Sequence, residues 1–350
     1  MRKIVYLSLI TLLSFQLTFA QQKEKKTEDW NIPKPTQKLT NAKFSKIIIQ
    51  DLRLDKEDMG FVQKGAFNRY TLIKPIIPLK KQIEDIFNDL IVKDSLNKNE
   101  LIVQIRDFYF SELTSGMSEE GKFKFRATIF AGEPQNYKLI KKVDEVYKNS
   151  SMDVTLQLER ESGELILKII SEALVTVKPL EERIYTLEDI DNFEGIEKNK
   201  LALYTNDKYV DGIYKDFQSF SMQNPSMPIH EVKEGNNTIK VYYLNENKKS
   251  KNARGNYAAI YQGKLYINNG EEFIKLTKKE NDYYFYGYVS KKASFGKQLG
   301  VGVATGVLTS LLTGGFGVAF FPTTDSILYE FKMDFLNGSF IPIQEVKQNK

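Results

Sequence analysis

Four small residues recur at every fourth position near the C-terminal end, Gly302, Gly306, Ser310 and Gly314, inside the uncharged stretch Leu299 to Phe321. On a helix this spacing makes a smooth stripe against which another backbone can pack closely, the chemistry of a membrane or oligomer contact. The same stretch, LGVGVATGVLTSLLTGGFGVAFF, holds six glycines, and Lys291, Lys292 and Lys297 precede it. Glycines weaken a helix, and lysines on the flank left outside after export oppose a spanning orientation. Three readings stand: a glycine-rich insertion between two strands, a stripe helix that touches a membrane or a partner, and a true span. The insertion makes the fewest demands.

The other reactive residue types lack the company that chemistry needs. His230 is the single histidine and no cysteine is present, which leaves little for transition-metal binding or histidine-based acid/base catalysis. The acidic run Glu188-Asp189-Ile190-Asp191-Asn192-Phe193-Glu194-Gly195 fails the calcium-loop pattern, with Phe193 at a ligand position and Glu194 where glycine makes the turn. GMSEEG at 116 to 121 has one residue too many for a nucleophile elbow, and Ser95 to Lys98 matches S-x-x-K without a K-T-G partner. Asp51 with Arg53, and Arg106 with Asp107, read as charges paired across strands, a structural use. Tyr283, Tyr284, Phe285, Tyr286 and Tyr288 could offer rings to a carbohydrate, but period-two alternation buries one set. The sequence thus nominates no catalytic, cofactor-binding or metal-binding residue, and no cofactor is expected.

The first twenty residues, MRKIVYLSLITLLSFQLTFA, carry a charged start, an apolar run and the small-residue site Thr18-Phe19-Ala20, the pattern of a cleavable secretory signal. Export to the periplasm or an outer-membrane-associated position is expected, and nucleic acid is not expected as a partner in that compartment. Without cysteine, an exported chain must be stabilised by burial alone. At 41% hydrophobic and 12% aromatic residues it has the material for cores. Its net charge of +5 arises from 50 basic and 45 acidic residues intermixed along the chain, so the surface is solvated with a mild basic bias.

Residues 21–43 read as a polar, flexible leader containing the single tryptophan, Trp30, docked on the domain or anchoring a partner. An α+β domain over 44–178 follows: strand FSKIIIQDLRLD, helix PLKKQIEDIFNDLI over about 78 to 92, strands ELIVQIRDFYFSEL, GKFKFRATIFAG and SSMDVTLQLER, and helix GELILKIISEAL. This order makes an antiparallel sheet with two helices on one face. Residues 179–205 read as a connector, and 206–345 as a mostly β meander interrupted by 299–321.

That order, the opening IIIQDLR and the central LIVQIRDFYF resemble the periplasmic domain of the ABC-transport auxiliary lipoproteins and their uncharacterised YajG-type relatives, over residues 44–178. The resemblance implies a fold that assists envelope lipid transport or has no assigned activity, and it carries no catalytic residues over. The chain lacks that family's lipidated cysteine. DGIYKDFQSF, YQGKLYINNG and ILYEFKMDFLNGSFIPI resemble a β module of uncharacterised exported Bacteroidota proteins, with no established activity. The expectation is a non-enzymatic exported envelope protein that binds or scaffolds envelope proteins or a membrane surface. The alternatives are a glycan or peptidoglycan hydrolase and a protein that inserts in a membrane through 299–321. Oligomeric state is left open.

Overall fold

The computed structural model describes residues 27–346 except 43, 55, 58, 65–68, 93–97, 116–117, 152–153, 176–177, 271 and 291–325. The described chain is α+β and mostly β, arranged in sheets of eight, seven and four strands. The first sheet is built on three strands of 16 residues each, β5 (Glu100–Ser115), β6 (Ser118–Glu133) and β7 (Asn136–Ser151), paired antiparallel along their length. Alternation sends Leu101, Val103 and Ile105 of β5 and Phe123, Phe125, Ala127 and Ile129 of β6 to one face. A bulge between Ile105 and Asp107 adds one residue, so Phe108 and Phe110 continue on that inner face while Arg106 and Asp107 are left to the other side.

Helices α1 (Leu79–Leu90) and α2 (Thr155–Val175) contribute to the same hydrophobic core as these strand residues, α1 through Leu79, Ile83, Ile86, Phe87 and Leu90 and α2 through Leu158, Ile166, Ile169, Ile170 and Leu174. Pro78 is the α1 cap residue, where its missing N–H costs nothing. α2 begins inside the segment read from sequence as a strand. Val154 and Leu158 are buried while Leu156 is 63% exposed, so the period across V-T-L-Q-L is four and not two.

The sheet is mixed, which corrects the antiparallel expectation. β2 (Lys46–Asp51) lies parallel to β5, and a parallel neighbour requires a crossover connection, which α1 supplies. Between them in sequence, β3 (Gly60–Lys64) and β4 (Arg69–Pro75) form a hairpin, and β3 also runs parallel to β5. Gly60 has φ +93°, and a Cβ there would lie 1.9 Å from the Phe110 carbonyl oxygen, so glycine is required for β3 to meet β5 so closely.

The expected flexible leader is also corrected over its described part. β1 (Thr27–Trp30) pairs parallel with β4. Trp30 is 2% exposed, stands edge-on to Phe108 at 4.9 Å, and donates its indole N–H to Ser162 Oγ and the Glu159 carbonyl at 3.1 and 3.2 Å. A buried indole with both its ring and its donor satisfied fixes the segment. Residues 1–20 lie outside the described part.

Residues 179–205 fold as a cover. β8 (Ile184–Tyr185) extends the sheet beyond β7, and α3 (Leu187–Asp191), α4 (Phe193–Lys198) and α5 (Ala202–Thr205) follow. Tyr185, Ile190 and Phe193 pack on Ile102, Phe130 and Leu139, on the outer face of the first sheet. The acidic run begins α3 behind a reciprocal cap between Thr186 and Asp189, a use of carboxylates that the helix N-terminus favours.

The remaining strands form two antiparallel sheets where one meander was expected. The seven-stranded sheet contains β9 (Gly212–Tyr214), β10 (Glu231–Glu234), β11 (Thr238–Leu244), β12 (Ser250–Asn252), β13 (Ala258–Tyr261), β14 (Lys264–Asn268) and β15 (Phe273–Lys275), and α6 (Phe217–Ser221) lies between β9 and β10 in sequence. The four-stranded sheet contains β16 (Thr277–Lys279), β17 (Asp282–Ser290), β18 (Ser326–Met333) and β19 (Phe340–Glu345). Tyr257, just before β13, and Ile260 and Leu265 of the former share one core with Tyr283, Phe285, Phe331 and Phe340 of the latter. The β13–β14 turn places Gln262 at φ +52° and Gly263 at φ +67°, the two left-handed positions of a tight hairpin turn. Asp211 accepts from both of their amides at 2.8 and 2.9 Å.

Candidate functional site

Among the described residues, a group of buried charges lies where the outer face of the first sheet meets the connector and the four-stranded sheet. The β5 bulge turns Arg106 toward α4, where its guanidinium donates to Glu197 and lies 5.4 Å from the Phe193 ring. Lys142 of β7 donates to the other oxygen of Glu197 at 2.6 Å. The next residue, Lys198, faces the opposite way: it meets Asp282 of β17 at 2.7 Å and Glu194 at 2.6 Å, over the rings of Tyr204 and Phe335. Two consecutive residues of one short helix thus hold the first sheet on one side and the third on the other.

A second bridge runs directly between sheets. Arg126 of β6 donates to Asp334, just after β18, at 2.6 Å, and to both oxygens of Asp144 on β7 at 3.2 Å. The Arg126 and Asp334 side chains are 7% and 4% exposed. Burial opposes the guanidinium charge, but Asp334 and then Asp144 outweigh it and hold the group protonated more firmly than usual. Lys332 of β18 behaves alike: burial works against its charge, and its bond to Asp282 more than compensates, so its affinity for the proton is raised. Asp282 therefore sits between two lysines, Lys198 and Lys332, each at 2.7 Å.

Aromatic residues close the seam. Tyr204 of α5 stands edge-on to Tyr283 at 5.2 Å, and the Tyr283 hydroxyl donates to the Leu203 carbonyl at 2.6 Å. Burial, then the nearby charges of Asp282 and Asp334, push the Tyr204 hydroxyl up from its ordinary value. Each carboxylate in the seam is matched by at least one cation, so the arrangement positions sheets.

Arg106 and Asp107, read from sequence as charges paired across neighbouring strands, take separate partners: Asp107 pairs with Lys124 of the neighbouring β6, and Arg106 with Glu197 of α4. Asp51 and Arg53 do pair, through two bonds of 2.9 and 2.8 Å. His230 is exposed and donates its backbone N–H to the Tyr242 carbonyl. Tyr283 and Phe285 are buried in the shared core while Tyr286 is 47% exposed, the alternation of a strand with one dry face. Gly302, Gly306, Ser310 and Gly314 lie outside the described residues, as do Ser95 and Gly116. No helix of the described residues is long and apolar enough to cross a membrane. Among them no three His, Cys, Asp or Glu side chains group as metal ligands. Sequence reasoning missed Arg126, Lys142, Glu197, Lys198, Asp282, Lys332 and Asp334; the only signal was Lys122, Lys124 and Arg126 at alternate positions of one strand.

A separate open cleft of about 280 Å³ lies between β1 and the start of α2, lined by Asp29, Trp30, Leu156, Glu159, Arg160 and Glu164 among others.

No family model matches the chain, and no curated protein matches it. Among solved structures it is similar to protein XCC0632 from Xanthomonas campestris, described under DUF330, with 9% identity and a TM-score of 0.29 over 42% of this chain and 93% of that one. A structure described as an uncharacterised protein is similar with 9% identity and a TM-score of 0.24, over 42% of this chain and 97% of that one. Similarity at this level assigns the chain to no family.

Proposed function

We propose that this chain is a non-enzymatic, exported cell-envelope protein that binds or scaffolds other envelope components in the periplasm or at the outer membrane. The observation that carries the reading is the charged seam, in which Arg106, Arg126, Lys142, Glu197, Lys198, Asp282 and Asp334 are engaged with one another across three segments of the chain. Such a seam fixes the relative position of two surfaces, the property a scaffold requires, and directs charge into structure. The signal-like residues 1–20 support export, and the resemblance of 44–178 to the auxiliary lipoproteins of ABC transport supports an envelope setting.

In this reading residues 44–178 form one unit, a sheet covered on one face by two helices, and 206–345 form a second, with 179–205 between them as a structural clasp. Envelope fractions of the native host, cross-linked in intact cells and analysed by mass spectrometry, test it. Recovery of the chain from the envelope with its N-terminus at Gln21, cross-linked to envelope proteins, is expected. Recovery from the cytoplasm with Met1 retained, or release of fragments from purified peptidoglycan, overturns it.

A further inference from the structure

The hairpin of β11 and β12 ends in a turn of defined geometry that carries charge the rest of the molecule does not use. The Asn245 amide donates to the Lys249 carbonyl at 3.0 Å, and the Asn245 side-chain oxygen accepts from the Asn247 and Lys249 amides at 3.1 and 2.9 Å. Lys248 holds a left-handed position of the turn, at φ +56°. Lys248, Lys249 and Lys251 are exposed on this tip, and Glu246 is the one acid between Leu244 and Arg254. Lysines of the strands behind it are engaged, Lys233 with Glu231 at 3.6 Å and Lys240 with Glu272 at 3.2 Å. Among the described residues, no ion pair engages Lys248, Lys249, Lys251 or the exposed Arg254 at the foot of the hairpin.

An apolar residue stands in the same tip. Leu244, opposite Ser250 in the ladder, is 46% exposed, although it ends a strand whose Ile239 and Val241 are buried. Lys251, opposite Tyr243, falls on the other face of the ribbon, so an approach end-on is the one that meets both the cations and the leucine. Such a tip offers a few residues, against roughly 20 to 30 a side in a standard protein interface. A charged bilayer, in contrast, attracts each basic residue near it separately and takes up an apolar side chain without a matching shape. Unpaired lysines projecting from a convex turn suit charge spread over a plane.

We propose that the β11–β12 tip docks end-on on an anionic phospholipid surface, with Lys248, Lys249 and Lys251 at the phosphate headgroups and Leu244 entering the interface. The inference rests on the exported reading above, which brings such a surface within reach. The contact is weak and reversible, because each lysine near an anionic leaflet contributes about fivefold to binding.

Co-sedimentation of the full chain with vesicles tests it, comparing phosphatidylcholine alone with equal parts of phosphatidylcholine and phosphatidylglycerol. The ratio of the two affinities isolates the charge-dependent part, so apolar binding through other segments cancels. Tighter binding to the anionic vesicles, weakening as salt is added, is expected. Lys248→Gln, Lys249→Gln and Lys251→Gln together are expected to lower the ratio about hundredfold at low salt, from three contributions of about fivefold, with an unchanged thermal melt. Lys34→Gln, Lys38→Gln and Lys264→Gln, which remove the same charge from exposed positions elsewhere, are expected to leave it unchanged. Leu244→Ser is expected to weaken binding to the anionic vesicles about fivefold, a part of what burying a leucine contributes.

The chain contains no cysteine, so Asn247→Cys carries an environment-sensitive fluorophore at the tip alone. Its emission is expected to shift to the blue on anionic vesicles. The same label at Lys264→Cys is expected not to shift, since β14 runs in the direction of β11 and its first residue lies at the opposite end of the sheet. Equal affinity for both vesicle types, an equal loss in the two lysine triples, or an unshifted label at 247 overturns the inference and leaves the exported reading standing. A label that shifts with polyglutamate but not with vesicles gives the tip to an acidic protein and overturns it as well. A chain recovered from the cytoplasm whose tip still prefers anionic vesicles overturns the exported reading and not the surface chemistry.

Discussion

Asp334→Asn isolates the charge of the most buried bridge in the seam. Asparagine retains an oxygen to accept from the Leu336 amide, as Asp334 Oδ1 does at 3.0 Å, so the turn after β18 keeps its geometry while Arg126 loses its nearest counter-charge. Removing one member of a buried ion pair costs about 3–5 kcal/mol, because the remaining ion is left charged and desolvated. Arg126 still has two bonds to Asp144, whose side chain is 52% exposed, and this residual pairing lowers the expected loss to about 2 kcal/mol. Urea unfolding reads the change: Trp30, the one tryptophan, reports the first sheet by fluorescence, and far-UV circular dichroism reports all sheets. The wild type is expected to unfold with coincident curves, and the variant with the two signals separated. A double-mutant cycle with Arg126→Met should return most of the loss as coupling. A change below about 0.5 kcal/mol, the range of ordinary surface substitutions, would refute the bridge as a structural tie.

Three further outcomes follow from the geometry. Gly60→Ala is expected to cost several kcal/mol and to abolish most soluble yield, because its Cβ would meet the Phe110 carbonyl at 1.9 Å; a normal thermal melt would show that β3 and β5 can separate. Phe87→Asp places a carboxylate at a site 3% exposed in the first core, so a melting temperature like wild type would mean the wrong face of α1 has been placed inward. For Glu330, burial acts to raise the carboxyl, but hydrogen bonds from Lys279 and Gln344 and the Lys279 charge leave it below its ordinary value of 4.5. The unfolded chain therefore takes up this proton first, so the contribution is full above 4.5 and lost as pH falls through the folded value. Glu330→Gln should flatten the stability profile in that acid window, and an unchanged slope would contradict the pairing.

The elements with one dry face and a regular period were legible. Leu79, Ile83, Ile86, Phe87, Leu90 and Ile91 stand at helical spacing in the sequence and all are buried. Strands β5 and β6 likewise alternate as their residues suggest, and Tyr283 and Phe285 turn inward as period two requires. What escaped the sequence depends on contacts distant in the chain. β7, rich in lysine and acid, has one face on the core and the other at the seam and the open edge, so its apolar signal is diluted. Trp30 sits in a polar tract and becomes core only because Ser162 and Phe108 receive it, 132 and 78 positions away. The seam escaped for the same reason: Arg126 and Asp334 are separated by 208 positions, and no local pattern links them. Val154 to Leu158 misled because alternation over five residues also satisfies a helix turn when the middle leucine is exposed.

Cross-linking in intact cells of the native host, followed by mass spectrometry of the purified chain, bears most directly on a role as an exported scaffold. The expected result is a mature chain beginning at Gln21 in the envelope fraction, joined reproducibly to envelope proteins, with internal cross-links from Lys142 or Lys198 to lysines of the second unit such as Lys332. A cytoplasmic chain that retains Met1, or an envelope chain joined to nothing but itself, would contradict it.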